Sequence, residues 1–184
     1  TPLMPTPWEP DYEKFKAVYD QVRPPYLNLT GYTESFLNRD IFQMIQYGKK
    51  GGSFIKIDSN ASVMDQEVCR KIVDSGLDAI SISVDGSDAD AYARIRVGGK
   101  LDVVLSNLQC LLRMKTEKQA PIKVHAAIVV QRANIRDLPE IIKMLDPLGM
   151  DSINPTPIVE YDIPEYEPLL LKHALNRNCN SRKQ

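Results

Sequence analysis

Three side chains that could bind a small zwitterionic ligand lie close together in the sequence: Ser83, Asp85 and Arg96. Ser83 and Asp85 are two residues apart at the end of a predicted strand, so both would point to the same face. Arg96 follows a short helical stretch, and an arginine can bind a carboxylate through two parallel hydrogen bonds. An arginine at a helix end can also be simply solvated. The pattern favours a carboxylate site over a solvated surface only if other polar groups converge on it.

Two further strand ends upstream carry groups of the same kind. Gly31 follows the first predicted strand, where a glycine lets the chain turn and lets a ligand approach the backbone. Glu34 could accept charge-assisted hydrogen bonds from a ligand ammonium, and a solvated loop glutamate is the alternative. Ser59 and Asn60 follow the next strand, where they could contact a ligand or form a helix cap or an Asx turn.

The elements that would position these groups alternate regularly along the chain. Strands are predicted at 26–30, 53–58, 78–84, 121–130 and 150–154, and helices at 11–22, 38–50, 65–75, 88–95, 101–116 and 134–148. Asp11 is predicted to start the first helix and Asn38 the second. This alternation predicts an α/β fold of parallel βα repeats, in which the carboxyl ends of the strands line one crevice. Periodicity alone leaves an open sheet and a partial barrel as alternatives.

Composition limits the classes of partner. The chain of 184 residues carries a net charge of −1, which gives no electrostatic reason to expect nucleic acid or an anionic membrane surface. No apolar run approaches the roughly 20 residues of a membrane helix. The three cysteines are odd in number and far apart, which predicts no disulfide framework and a cytoplasmic location.

The other reactive side chains form no recognisable catalytic pattern. His125 lies within an apolar strand, where a hydrogen-bonded core histidine is the commoner case than a ligand or base. The sequence contains no glycine-rich phosphate loop and no nucleophile elbow. It therefore predicts an amino-acid-like binding site in which a cofactor supplies the chemistry.

Three short motifs, in order, resemble those of the radical S-adenosylmethionine (radical SAM) superfamily, in particular its peptide-modifying and sulfatase-maturase-like branches. Gly31-Tyr-Thr-Glu-Ser35 is similar to the family's glycine–glutamate–proline motif, and Ser59-Asn-Ala61 to its Thr-Asn-Gly turn. Ser83-Val-Asp-Gly86, with Tyr92 and Arg96, is similar to its Ser-x-Asp-Gly…Tyr…Arg signature. The resemblance covers roughly residues 12–157.

The resemblance implies a partial TIM-like barrel and a set of contacts to S-adenosylmethionine. It places Glu34 at the methionyl ammonium, Ser83 and Arg96 at the carboxylate, and the backbone of Gly31 and Thr33 close to the cofactor. Asp85 would support Arg96. Ser59 and Asn60 would lie beside the sugar or methionyl portion, and Asn134 near the adenine. A peptide or protein substrate is implied by the peptide-modifying branch.

The sequence departs from the family at its best-known feature. The family's Cys-x₃-Cys-x₂-Cys loop, whose thiolates hold a 4Fe–4S cluster, does not occur here, and the preceding first strand is expected to be missing too. Thr33, Ser35 and Ala61 replace residues of the family pattern. The expected organisation is an N-terminal linker and helix at 1–25, a partial barrel at 26–158 and a tail at 159–184.

Three hypotheses follow from these matches and departures. The chain is a fragment of a radical SAM enzyme whose cluster ligands lie elsewhere, and this chain alone is inactive. Alternatively, it is a cluster-less relative that serves as a binding or interaction module. The third hypothesis is an unrelated α/β domain whose strand ends match by chance.

Overall fold

The computed structural model describes residues 11–31 and 33–158. Five strands and six helices alternate along them. The strands are β1 (Tyr26–Asn28), β2 (Phe54–Ser59), β3 (Ala79–Ser83), β4 (Lys123–Val130) and β5 (Ser152–Pro157). The helices are α1 (Tyr12–Val22), α2 (Ile41–Lys50), α3 (Gln66–Asp74), α4 (Ala89–Ile95), α5 (Leu101–Glu117) and α6 (Leu138–Leu145). Short 3₁₀ turns lie at Ser35–Leu37 and Asp146–Leu148.

The five strands form one parallel sheet in the order β1-β2-β3-β4-β5. Each strand therefore pairs with the next along the chain, and every connection returns the chain to the same end of the sheet. All carboxyl ends consequently meet at one edge, which we call the carboxyl edge. The predicted α/β class and parallel βα repeats are confirmed.

Aspartates start three of the helices, as short polar side chains at helix starts should. The side chains of Asp11, Asp65 and Asp88 accept hydrogen bonds from the backbone N–H three residues later. The prediction that Asn38 starts α2 is wrong, because the helix begins at Ile41. Asn38 Oδ1 instead accepts a hydrogen bond from the N–H of Asp40 at 2.8 Å, in the turn before the helix.

The sixth helix is also shorter than the periodicity predicts. It begins at Leu138 rather than at Asn134, and residues 132–137 form turns. The side chain of Asn134 is drawn into tertiary hydrogen bonds, described below, instead of extending the helix.

The two faces of the sheet differ in chemistry. Alternate residues of β2, β3 and β4 are apolar and buried against the helices: Ile55, Ile57, Ile80, Ile82, Val124, Ala126, Ile128 and Val130. The residues between them are mostly polar, and we call their face the inner face. The inner face meets the carboxyl edge at the strand ends, so both regions could contribute to one site.

Asp151 joins neighbouring elements at the edge of the sheet where the strands begin, opposite the carboxyl edge. The carboxylate of Asp151, just before β5, accepts hydrogen bonds from Val124 N at 2.9 Å and Lys123 Nζ at 3.0 Å, and a further bond from Lys115 Nζ. Although partial burial of the carboxylate opposes it, these bonds lower the pKa of Asp151 well below its usual value.

We expect the substitution Asp151→Asn to destabilise the fold by roughly 1–2 kcal/mol at pH 7, because charge-assisted bonds are replaced by neutral ones. A carboxyl whose pKa is lowered on folding stabilises the protein above its unfolded pKa, and that stabilisation is lost as the pH falls through the folded value. The difference in unfolding free energy between Asp151→Asn and the wild type should therefore shrink as the pH falls from about 5 to about 2. Urea unfolding at several pH values measures it, with exposed Asp102→Asn as the control. A difference independent of pH would contradict this account.

Candidate functional site

Glu34 joins the end of β1 to the end of β2. Its Oε1 accepts a hydrogen bond from Ser59 Oγ at 2.8 Å, and its Oε2 accepts one from Asn60 N at 2.8 Å. It is half-buried, so it is not the solvated loop glutamate of the alternative prediction. Its Oε1 also accepts a longer hydrogen bond from Phe36 N at 3.4 Å. A carboxylate offers about four acceptor positions, so these three bonds leave room for a ligand cation.

Ser59 and Asn60 form tight turns as well as supporting Glu34. Ser59 is buried, and its Oγ accepts a hydrogen bond from Ala61 N at 2.9 Å. Asn60 Oδ1 accepts one from Ser62 N at 2.8 Å, which is the Asx turn predicted as an alternative. Ala61 has φ 58°, a left-handed conformation that glycine usually supplies, in agreement with the glycine expected at this position.

The backbone at Gly31 is open. Gly31 does not have a positive φ, and a Cβ added there would have nothing within 4 Å among the described residues. Open space beside this backbone is compatible with close approach by a ligand, and Thr33, two residues later, is exposed.

Asp85 is a buried carboxylate at the carboxyl edge, and both of its oxygens accept hydrogen bonds. It is 1% exposed, and its Oδ1 accepts a hydrogen bond from Val129 N at 2.7 Å. Its Oδ2 accepts one from Arg96 Nε at 2.7 Å. No described residue accepts from the two terminal amino groups of Arg96, whose side chain is 32% exposed. Asp85 therefore holds the guanidinium while leaving its outer donors available to a ligand.

Close packing around Gly86 fixes the position of α4 relative to Asp85, and Arg96 follows that helix. A Cβ added at Gly86 would lie 2.3 Å from Tyr92 N and 2.5 Å from its Cα, so the backbone of α4 packs directly on this glycine. Tyr92 is 1% exposed, and burial raises the pKa of its hydroxyl. This packing places Arg96, at the end of α4, next to Asp85.

Ser83 ends β3 opposite Ala127 of β4 and is half-buried. Among the described residues its hydroxyl has no hydrogen-bond partner, which leaves it free to donate to a ligand. Ile82, one residue earlier, lies opposite Ser59 of β2. The register thus brings Glu34, Ser83 and Arg96 to the same edge of the sheet, although no hydrogen bond joins the three directly.

Asn134 is engaged entirely by the protein. It is 1% exposed; its Nδ2 donates to Asp85 O and Val129 O, both at 3.0 Å, and its Oδ1 accepts from Gln131 N at 2.9 Å. Its amide therefore braces the ends of β3 and β4. Contact between Asn134 and an adenine stays a prediction.

The two thiols among the described residues lie on helices, Cys69 on α3 and Cys110 on α5. Cys69 on α3 is buried, and its Sγ donates to Met64 O at 3.3 Å. Burial, with a smaller contribution from the Cys110 thiol on α5, raises the pKa of Cys69 to about 12. Cys179 lies outside the described residues. Within the described part of the chain, no three histidine, cysteine or carboxylate side chains are grouped so that they could hold a metal ion.

A row of polar residues on the inner face was missed in the sequence. Asp58, Ser81, His125 and Ser152 lie directly opposite one another across β2 to β5. His125 is half-buried on this face rather than in the apolar core. Alternation of apolar and polar residues in β2, where Ile55 and Ile57 alternate with Lys56 and Asp58, was the signal that could have revealed the row.

Comparison with known proteins identifies the family. The sequence model of the radical SAM superfamily matches residues 4–154, which is most of the chain. The chain belongs to the radical SAM superfamily. This membership agrees with the resemblance of the three motifs, and it rules out an unrelated α/β domain.

Curated relatives are distant and much longer. The chain is 22% identical over 126 residues to an AdoMet-dependent heme synthase of Methanosarcina barkeri, covering 68% of this chain and 34% of the relative. It is 27% identical over 125 residues to a PqqA peptide cyclase of Rhodopseudomonas palustris, covering 65% and 30%. The chain thus spans about a third of the length of the curated relatives it matches.

Solved structures show the same fold. SuiB of Streptococcus suis superimposes with a TM-score of 0.67 at 12% identity, covering 94% of this chain and 40% of SuiB. The enzyme anSMEcpe, solved with AdoMet and a peptide, superimposes with a TM-score of 0.65 at 11% identity, covering 87% and 47%. The five parallel strands with alternating helices are therefore a partial TIM-like radical SAM fold.

Within residues 11–31 and 33–158, no helix has the length and apolar content that crossing a bilayer requires.

Proposed function

We propose that the carboxyl edge binds the methionyl part of S-adenosylmethionine, as the cofactor site of a radical SAM enzyme. Arg96, with Ser83 beside it on the sheet, would bind the carboxylate. Glu34 would accept hydrogen bonds from the ammonium, and the open backbone at Gly31 and Thr33 would lie beside it. Ser59 and Asn60 would hold Glu34 in place, and Asn134 would brace the adenine side.

The observation that carries this proposal is the orientation of Arg96. Its Nε is bound by buried Asp85 at 2.7 Å, while its outer amino groups have no acceptor among the described residues. A guanidinium presented in this way matches a carboxylate through two parallel hydrogen bonds. The ammonium and carboxylate of a methionyl group need an acid and an arginine at one edge, and Glu34 and Arg96 supply them.

The described residues fit S-adenosylmethionine but offer no ligands for a 4Fe–4S cluster. The cluster would require cysteines from elsewhere in the protein, since Cys69 lies in the helical layer with its thiol protonated. S-adenosylmethionine held beside such a cluster in its reduced state would supply a 5′-deoxyadenosyl radical able to abstract hydrogen from a substrate. The part played by this chain would be to bind and orient the cofactor, in the cytoplasm.

A peptide or protein substrate is the second part of the proposal. It is supported by a relative named as a peptide cyclase and by the structural neighbour solved with a bound peptide. Both describe proteins longer than this chain, so the substrate of the whole enzyme is inferred from them and not from the carboxyl edge.

Calorimetry with S-adenosylmethionine and its decarboxylated analogue tests the cofactor site. We expect Arg96→Lys to weaken S-adenosylmethionine binding by roughly 10- to 100-fold, because a lysine cannot pair with Asp85 and a carboxylate in the same geometry. The decarboxylated analogue should bind the wild type and Arg96→Lys with equal affinity, since the group that Arg96 recognises is absent. Glu34→Gln should weaken both ligands by a similar factor.

Arg94→Lys is the matched control. Arg94 is exposed on the same helix, and its substitution should leave both affinities unchanged. If the wild type does not bind S-adenosylmethionine, or if Arg96→Lys weakens both ligands equally, Arg96 does not recognise the carboxylate and the proposal is wrong.

A further inference from the structure

The inner face of the sheet carries a second group of polar side chains, further from the strand ends than the carboxyl edge. Asp58, Ser81, His125 and Ser152 lie in register across four strands, and neighbouring strands are about 4.8 Å apart. Ser81 lies two residues before Ser83 on the same face of β3, which separates the two by roughly 6.6 Å along the strand. We call these four residues the inner row.

His125 presents a free ring nitrogen in the inner row. Its Nδ1 shares a hydrogen bond of 2.7 Å with Ser152 Oγ. No described residue bonds to its Nε2 or to the hydroxyl of Ser81. One of the two hydrogen-bonding positions of the ring is therefore used to orient it, and the other is available to a ligand.

The charged side chains around His125 carry a net charge of +1. On β2, Lys56 pairs with Asp58 at 2.8 Å. Lys115 of α5 and Lys123 of β4 both pair with Asp151 before β5. The facing residue of β3, Ser81, is neutral. Three lysines and two aspartates leave a net charge of +1 before His125 is counted.

We propose that the inner row binds a carboxylate group of the substrate, with His125 Nε2 and Ser81 Oγ as its hydrogen-bond donors and Lys56 as the nearby cation. The assignment of this ligand to the substrate rests on the proposed function. An apolar group would leave the polar side chains of the row unpaired, which is costly. A ligand ammonium would meet a net positive surface. A carboxylate accepts from both donors and offsets the excess charge.

Binding of a carboxylate to the inner row should change the pKa of His125, which can be measured. In the free protein, burial lowers the pKa of His125, the neighbouring lysines lower it further, and Asp151 opposes them. Below that pKa the ring would donate from both nitrogens. A carboxylate held at Nε2 favours the charged ring, so its arrival should raise the pKa of His125.

The test uses propionate and its neutral counterpart propionamide with the whole chain. The sequence has two histidines, His125 and His173, so the variant His173→Gln leaves one imidazole signal in the NMR spectrum. At constant ionic strength, saturating propionate should raise the pKa of His125 by about one unit. Propionamide should leave it unchanged.

Variants locate the binding site. Ser81→Ala and Lys56→Met should each weaken propionate binding by roughly 3- to 10-fold. Lys143→Met, which removes an exposed lysine on α6, should have no effect. Should Lys56→Met unfold, Ser81→Ala carries the comparison. Equal shifts with both probes, no shift with propionate, or an equal loss in Lys143→Met would overturn the proposal.

This result is independent of the cofactor site. Ser81→Ala should leave the affinity for S-adenosylmethionine unchanged, and Arg96→Lys should leave the propionate shift unchanged. A protein that binds propionate at His125 but not S-adenosylmethionine would retain the inner-row site and lose the proposed function.

Discussion

Asp85→Ala should destabilise the protein by roughly 3 kcal/mol. The carboxylate is 1% exposed and accepts hydrogen bonds from Val129 N and Arg96 Nε. Removing it leaves a backbone N–H unpaired in the interior and an arginine charge without its partner; breaking a fully buried ion pair costs about 3–5 kcal/mol. Because the Arg96 side chain is 32% exposed, solvent reduces that penalty and the lower end of the range applies. Urea unfolding measures the change.

Two further variants separate charge from hydrogen bonding at this position. Asp85→Asn keeps an acceptor for Val129 N but loses the charge that holds Arg96, so its destabilisation should be intermediate. Asp90→Ala, an exposed aspartate in the first turn of α4, should change the stability by less than about 1 kcal/mol. If Asp85→Ala costs no more than Asp90→Ala, Asp85 does not hold the edge together.

Local signals in the sequence were enough to predict most of the fold. The apolar runs of the strands match the five strands, and Asp11, Asp65 and Asp88 start helices because a side chain three residues before an N–H can bond to it without tertiary help. Interactions between residues three positions apart can be predicted from a short window of sequence.

The errors arose where tertiary contacts override local preference. Asn134 looked like a helix start, but its amide bonds to Asp85 O, 49 residues away, and the helix begins four residues later. Asn38 has the right side chain for a cap, yet it forms a turn before Asp40 instead. Neither alternative can be distinguished without knowing what lies beside the residue in space.

The residues of the candidate site could also be predicted only in part from the sequence. Glu34, Ser83 and Arg96 could be singled out by type and by position after strands, whereas their partners could not. Glu34 is held by residues 25 and 26 positions away, and Asp85 by Val129, 44 positions away. The inner row was missed because its members come from four strands, and only the register of the sheet aligns them.

Asp85 links the strand ends before any ligand arrives. Its side chain bonds to β4 and to the end of α4, and its backbone carbonyl bonds to Asn134. A guanidinium already oriented by such contacts loses little conformational freedom when it binds a carboxylate. The affinity of the carboxyl edge should therefore depend on residues that never touch the ligand.

Gly86→Ala should strongly destabilise the protein, because the added methyl group would overlap the backbone of α4. Its Cβ would lie 2.3 Å from Tyr92 N, 2.5 Å from Tyr92 Cα and 2.8 Å from the carbonyl carbon of Ala91. All three are backbone atoms of α4, so no side-chain rotation can relieve the overlap and the helix itself must move. We expect a loss of at least about 3 kcal/mol in urea unfolding, together with weaker binding of S-adenosylmethionine, because α4 carries Arg96.

Gly31→Ala provides the matched control, since the same methyl group there meets no described atom within 4 Å and Gly31 has no positive φ. Its free energy of unfolding should stay within about 0.5 kcal/mol of the wild type. If a ligand approaches the backbone at Gly31, this variant should bind S-adenosylmethionine less tightly with its stability intact, whereas Gly86→Ala loses both. Equal stability of Gly86→Ala and Gly31→Ala would mean that α4 does not pack on Gly86, and the position of Arg96 would then need another explanation.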